Sequence, residues 1–347
     1  MTADKWEIIK KCANGEDPGK VPVALIVDSP WIPGFLGIST IDYIQIPEVW
    51  LQANLTIERQ FPEVIFIPGF WAEAGMATEP SGFGCKVSFY NDRTPDVYPI
   101  LKSVDEVDRL EIPNPVSDGL MPFVLNLYKK NEQSIKDNGH SVKIVCSRGP
   151  LTIASYLLGV TQFLLDMKLN PIKTHALLKK TTTLAKDWLS AQCDVLSEVE
   201  GIMLLDDIVG FLSPKDYPEF AHQYLKDIFD GFPGFVKIFH NDNFNPSSYK
   251  HLSELGIQIF NFTHLTEINK ARELVGDNVC LMGNVPPLDI LARGSVQKVI
   301  DSAAKCLKLH GRRRGIILSA GGGTSPGTPA ENINALVQAA KLVTFEQ

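Results

Sequence analysis

The chain runs to 347 residues, 44% of them hydrophobic, and carries 33 lysines and arginines against 40 aspartates and glutamates. A net charge of −7 without a long basic run argues against a nucleic-acid partner, and no apolar stretch approaches the roughly 18 residues of a membrane span. The N-terminal stretch Met1-Thr2-Ala3-Asp4-Lys5-Trp6 lacks a charged-then-apolar leader pattern, so a soluble cytoplasmic protein is expected. Six scattered cysteines never approach metal-ligand spacing and read as small buried hydrophobes rather than disulfide partners.

Residues 1–20 read as a short helical extension closed by a turn at Gly15, Pro18 and Gly19. From 21 to 347, eight apolar, β-rich runs alternate with helical stretches: 21–27, 64–67, 142–146, 201–205, 235–239, 257–260, 279–282 and 315–319. That alternation implies a parallel sheet, and eight repeats are the number that closes a barrel. The expected fold is α/β, a single-domain (β/α)8 TIM barrel over 21–347 with long loops after strands 1 and 2. The first loop carries Trp31, Phe35, Tyr43 and Trp50, and the second carries Phe70, Trp71, Glu73 and Glu79. Loops of that length in a compact fold usually serve as binding walls.

Helices are expected from Pro150 to Leu158, from Pro171 to about Val199, and over 215–229, where Ser213-Pro214 supplies a cap and a first-turn proline. The last helix should open at Thr328-Pro329-Ala330-Glu331, a capping-box pattern. Arg312-Arg313-Arg314, just before the eighth run, reads as a solvated loop at a helix C-terminus.

Barrels of this kind gather their active sites at the C-terminal ends of the strands. Those ends read Asp28, Phe70-Trp71, Arg148, Asp206-Asp207, His240-Asn241-Asp242, Asn261, Asn284 and Gly321-Gly322-Gly323. Strand side chains alternate faces, so His240 and Asp242 can converge on one point. They could hold zinc there, or Asp242 could orient His240 as an acid/base. Two carboxylates after the apolar run 202–205 are costly unless solvated, paired or ligating; one of Asp206 and Asp207 is expected in the mouth, the other in the loop. Arg148 suits a carboxylate or phosphate clamp, or a buried ion pair. Trp31, Phe35, Phe70 and Trp71 could line an aromatic pocket, with Glu73 and Glu79 weaker candidates for the mouth. The glycine run matches no phosphate-binding fingerprint; it offers close backbone approach to a large planar ligand.

The segments Lys270-Ala271-Arg272-Glu273-Leu274-Val275-Gly276 and Met282-Gly283-Asn284-Val285-Pro286-Pro287, with the glycine run and Pro329-x-Glu331-Asn332, resemble the uroporphyrinogen decarboxylase superfamily across nearly the whole chain. The resemblance implies the same (β/α)8 barrel. The decarboxylase itself carries an arginine motif near its first strand that grips propionates. The equivalent stretch here, Val27-Asp28-Ser29-Pro30-Trp31-Ile32-Pro33, has no arginine. The chain is more similar to the corrinoid-dependent methyltransferase branch, whose members move a methyl group between a small molecule and a cobalamin carried by a partner protein.

Thiol-methylating members of that branch hold zinc with His-x-Cys after the fifth strand and a cysteine in the glycine-rich eighth strand end. This chain keeps His240, has Asp242 for the first cysteine and Gly322 for the second. Oxygen and nitrogen ligands leave zinc harder and more Lewis acidic, which suits an ether or phenol oxygen. The resemblance therefore implies transfer from a small O-methyl donor, such as an aryl methyl ether, to the cob(I)alamin of a corrinoid protein. His240, Asp242, Asp206 and Asp207 would be catalytic, with Glu219 as a further zinc ligand. Trp31, Phe70, Trp71, Arg148, Glu79 and Asn284 would contact the donor, and Gly321, Gly322 and Gly323 would face the corrinoid. A porphyrinogen decarboxylase and a non-catalytic corrinoid-binding protein are the alternatives.

Overall fold

A computed structural model describes residues 1–27 and 30–345. Eight parallel strands form the barrel: β1 Val23–Ile26, β2 Val64–Ile67, β3 Ile144–Arg148, β4 Gly201–Leu205, β5 Val236–Asn241, β6 Ile259–Phe262, β7 Cys280–Val285 and β8 Ile316–Ala320. Their spatial order is β2-β1-β8-β7-β6-β5-β4-β3. All eight expected runs become strands, and five of them (β3, β5, β6, β7 and β8) extend one to three residues further toward the mouth than apolar character alone indicates. The (β/α)8 barrel is nearly closed. At the one unladdered seam, β2 to β3, the segment after β2 reaches the end of β3, where Glu73 pairs with Arg148 (2.7 Å) and Glu79 accepts from the Arg148 N–H (2.8 Å).

Alternation along the strands sorts side chains into two clusters. Odd positions of β4 (Met203, Leu205) and β6 (Ile259), and even positions of β5 (Val236, Ile238), fill the barrel interior. Their neighbours Ile202, Leu204, Phe239 and Phe260 pack outward under the helices. Each such fully buried side chain contributes about 1.5–3 kcal/mol of transfer free energy, so a one-residue slip of any strand would be prohibitive.

The N-terminal helix Ala3–Ala13 plugs the barrel floor rather than standing outside it: Met1, Trp6, Ile9 and Cys12 join the interior cluster. A buried Lys5–Glu58 pair at 2.7 Å and a Trp6 indole bond to Glu200 (2.8 Å) pin it there. Arg313 pairs with Asp17, Arg312 with Asp277, and Arg314 donates to the Gly15 carbonyl, so the arginine cluster ties down loops. With the floor sealed, the polar strand ends face solvent at the opposite end.

The long excursions fold into walls. After β1 come helices Trp31–Leu36, Thr40–Gln45 and Pro47–Gln60; after β2 come a short helix Thr78–Gly82, an antiparallel ribbon pairing Lys86–Ser88 with Asp96–Tyr98, and helix Met121–Asp137. Helices Pro150–Leu158 and Pro171–Val195 lie close to their expected bounds. The helix expected over 215–229 begins instead with a π-turn at Pro218–His222 before Gln223–Asp230. The expected capping box at the last helix, Ala330–Leu342, does not form: the Thr328 hydroxyl donates to the Ser325 carbonyl instead. No single helix among the described residues is long and apolar enough to cross a membrane. The described cysteines are free thiols, buried except for the partly exposed Cys193.

Candidate metal centre at the barrel mouth

His240 ends the interior-facing row of β5, and Asp242 follows it two residues later, beyond the strand's last ladder position. The interior row of β4 runs Met203, Leu205 and then Asp207, so the same period of two delivers a second carboxylate to the same place. One potential ligand atom from each of Asp207, His240 and Asp242 lies within 4.8 Å of the others. His240 Nε2 stands 3.5 Å from Asp207 Oδ1, too long for a strong hydrogen bond. Two donors sharing a tetrahedral zinc with bonds near 2.1 Å would sit about 3.4 Å apart. The spacing therefore fits ligands around a small cation, and three convergent oxygen and nitrogen donors suit zinc or a harder divalent ion.

The surroundings hold this arrangement. The Asp242 N–H donates to Asp207 Oδ1 (3.0 Å). Asp207 is 45% exposed, yet desolvation in the mouth holds its carboxyl above the usual range; His240 opposes that shift and Asp242 reinforces it. A Cβ built on Gly322 would lie 2.5 Å from Asp242 Oδ2, and Gly322 has φ +127°. The eighth strand end thus gives Asp242 room where a side chain would displace it. His240 Nδ1 is 2.7 Å from Asn261 Oδ1. This contact follows from register, because parallel pairing aligns His240 with Asn261. Asn261 and Tyr156 carry no role in the sequence reading. Strand parity from Ile259 locates Asn261. The Tyr156 phenol is shifted up by burial, with Arg148 and Asp207 also acting on it, so it stands within electrostatic reach of both.

Asp206 takes the other face. Its buried carboxylate accepts from the N–H groups of Leu151 (2.9 Å) and Thr152 (3.1 Å) and from the Thr152 hydroxyl (2.8 Å). It serves the N-terminus of helix Pro150–Leu158, not the mouth, and burial pushes its pKa up to about 7 despite those donors. Gly149 permits this, since a Cβ there would fall 2.2 Å from Asp206 Oδ2.

Arg148 reaches the mouth but is engaged. Its guanidinium pairs with buried Glu73 (2.7 Å), donates to Met76 Sδ (2.9 Å) and lies 4.9 Å from the Trp71 ring. Its backbone N–H donates to Glu79 Oε1 (2.8 Å), and burial raises the Glu79 carboxyl despite Arg148. Of Trp31, Phe70 and Trp71, only Trp71 joins the interior cluster. Trp31 is a core residue, stacked on Phe35 and donating to the Thr328 carbonyl (3.1 Å). Phe70 packs edge-on against Trp50. Parity from the interior-facing Ile65 and Ile67 sends Phe70 outward and Trp71 inward, a placement kept although Gly69 and Phe70 both have positive φ, 78° and 52°.

Three further expectations are corrected. Asn284 turns to the outer side: its amide donates to the Thr263 and Thr266 carbonyls (3.3 and 2.6 Å), and Cys306 donates to its oxygen (3.5 Å). Glu219 sits among the outer helices, 3.6 Å from His175 Nε2, and takes no part in the triad. The glycine run is not one open platform: a Cβ on Gly321 would meet His264 at 2.5 Å, whereas Gly323 alone faces open space. Asp28 lies outside the described residues. A cavity of about 720 Å³ lies at the floor, between Lys5, Val21, Glu58 and Lys341; the triad instead stands open at the mouth, with Asp242 exposed.

A (β/α)8 barrel with a convergent carboxylate–histidine cluster at its strand ends is thus the class of protein in hand. The model of the uroporphyrinogen decarboxylase (URO-D) family matches residues 7–343, and the chain belongs to that family. It is 28% identical over 324 residues to a uroporphyrinogen decarboxylase of Coxiella burnetii (strain Dugway 5J108-111), covering 89% of this chain and 84% of the relative. It is 27% identical over 258 residues to that of Anaeromyxobacter sp. (strain Fw109-5), covering 72% and 71%. Among solved structures, a methyltransferase from Methanosarcina mazei superposes with a TM-score of 0.81 at 21% identity, over 96% of this chain and 97% of that one. At that identity the likeness shows the fold.

Proposed function

We propose that this protein transfers a methyl group from a small O-methyl donor, such as an aryl methyl ether, to the cob(I)alamin of a partner corrinoid protein. One observation carries the reading: Asp207, His240 and Asp242 converge without a thiolate, and Gly322 leaves the space beside Asp242 that a fourth side chain would otherwise occupy. The O–CH3 bond must break with its electron pair left on oxygen, while the methyl carbon takes a new pair from the reduced cobalt. An alkoxide or phenolate leaves badly unless its charge is neutralised as it forms. Asp207, His240 and Asp242 would hold a divalent cation, which when bound would supply that positive charge as a Lewis acid.

The chain's own residues do the rest. His240 and Asp207 fix the point at which the donor oxygen is held, and Asp242 completes the donor set from the open side. Trp71, with Arg148 over its ring, offers a flat wall for the donor. The names of the curated relatives favour a second reading, decarboxylation of a porphyrinogen. Against it stand the arginine-free stretch Val27–Pro33 and a mouth whose one buried arginine is already paired with Glu73; neither suits many carboxylates.

Incubation of the zinc-loaded protein with a cob(I)alamin-charged corrinoid protein and methoxylated aromatics should convert the cobalt(I) absorbance to that of methylcobalt. No cobalt methylation with any O-methyl donor, together with loss of carboxylates from uroporphyrinogen, would overturn the proposal.

A further inference from the structure

We infer that Asn261 is a positioning residue that sets the tautomer of His240, presenting Nε2 as a lone pair to the space between Asp207 and Asp242. The inference rests on the metal-centre reading above. An amide's two ends are ordinarily interchangeable, but here the environment decides. Asn261 Nδ2 has two backbone acceptors, the Met282 carbonyl at 2.9 Å and the Ala320 carbonyl at 3.1 Å. With both N–H bonds committed, the end facing His240 must be Oδ1, an acceptor only. At 2.7 Å from Nδ1, it requires the proton on Nδ1. The neutral ring is then bare at Nε2, the nitrogen 3.5 Å from Asp207 Oδ1.

A lone pair aimed at two carboxylates is repulsive unless a cation stands between them. The barrel accepts that cost through a fully buried side chain clamped by strands β7 and β8. Choice of an amide over a carboxylate also matters. A carboxylate partner is the common way to fix a ligating imidazole, but it would add a third negative charge beside Asp207 and Asp242. Asparagine fixes the ring without adding charge, keeping the centre near neutrality once a divalent ion is bound.

The test reads the ring directly. In zinc-free protein at alkaline pH, 15N NMR of His240 should show Nδ1 protonated and Nε2 bare, opposite to the preference of a free imidazole side chain. In Asn261→Leu the ring should revert to Nε2–H, and cobalt(II), used as a spectroscopic probe of the site, should bind about 10–100-fold more weakly. Because Asn261→Leu also strips two carbonyls of a donor, the cobalt titration is repeated in a His240→Ala background, where the additional loss should vanish. An Nε2–H ring in the unaltered protein, or a cobalt penalty that persists without His240, overturns the inference. A protein that binds no cobalt yet shows the Nδ1–H ring would instead remove the metal and leave the positioning role standing.

Discussion

On the β1–β3 side of the mouth, charge is spent internally. Arg148 pairs with Glu73, its N–H holds Glu79, and Trp31 and Phe70 are packed into the core. On the β4–β6 side, Asp207 and Asp242 face the His240 ring, and no lysine or arginine among the described residues pairs with either carboxylate. Residue types at the two sets of strand ends are alike. The difference lies in whether an opposite charge on a neighbouring element arrives within reach. Where it does, a polar strand end becomes structure; where it does not, the site has affinity left for something else.

If that contrast is right, removing groups from the two sides should have different signatures. His240→Ala should lower methyl transfer by about 10²–10³-fold, the scale of losing one electrostatic stabiliser, with urea-unfolding stability little changed. A near-normal rate would remove the ring from the chemistry. Arg148→Ala should act on the fold instead. Glu73 would lose its buried 2.7 Å ion-pair partner, a loss of up to about 3–5 kcal/mol, measurable by urea denaturation. Gly322→Ala tests the border between the two regimes. A side chain at φ +127° beside Asp242 should cost about 1–3 kcal/mol and also weaken cobalt binding, whereas Gly323→Ala, facing open space, should leave binding intact.

Asp206 gives a smaller, pH-dependent effect. Its folded pKa of about 7 lies above the ordinary 3.8, so the folded state holds a proton that the unfolded chain has released. Its contribution is therefore full below pH 4 and is lost as pH rises through 7, at up to about 1.4 kcal/mol per pH unit for one proton. Urea midpoints for Asp206→Asn should lack that slope; parallel pH profiles for the two proteins would exclude Asp206 as its source. The smallest effect belongs to Glu219→Gln. It removes only an exposed contact to His175, worth under about 0.5 kcal/mol, and cobalt affinity should stay unchanged.

Strand periodicity made much of the site legible. The rows Met203–Leu205–Asp207, Ile238–His240–Asp242 and Ile259–Asn261 each follow from alternation alone, and carrying the first row past the strand end separates Asp207 from Asp206. Parity from Ile65 and Ile67 likewise sends Phe70 outward and Trp71 inward, whereas Asn284, beyond the ladder contact of β7 with β6, turns to the loop at Thr263 and Thr266. Glu219 misled because a helix position carries no information about which layer its face meets.

The sequence by itself determined the eight strands, their order along the chain and the convergence of an imidazole and carboxylates at one end, because period and apolar run length are local properties. Only the tertiary structure decided which arginine is neutralised and which amide holds the histidine ring. Those outcomes depend on partners 21 to 75 residues away in the chain, brought together by barrel register, and no local pattern records the register.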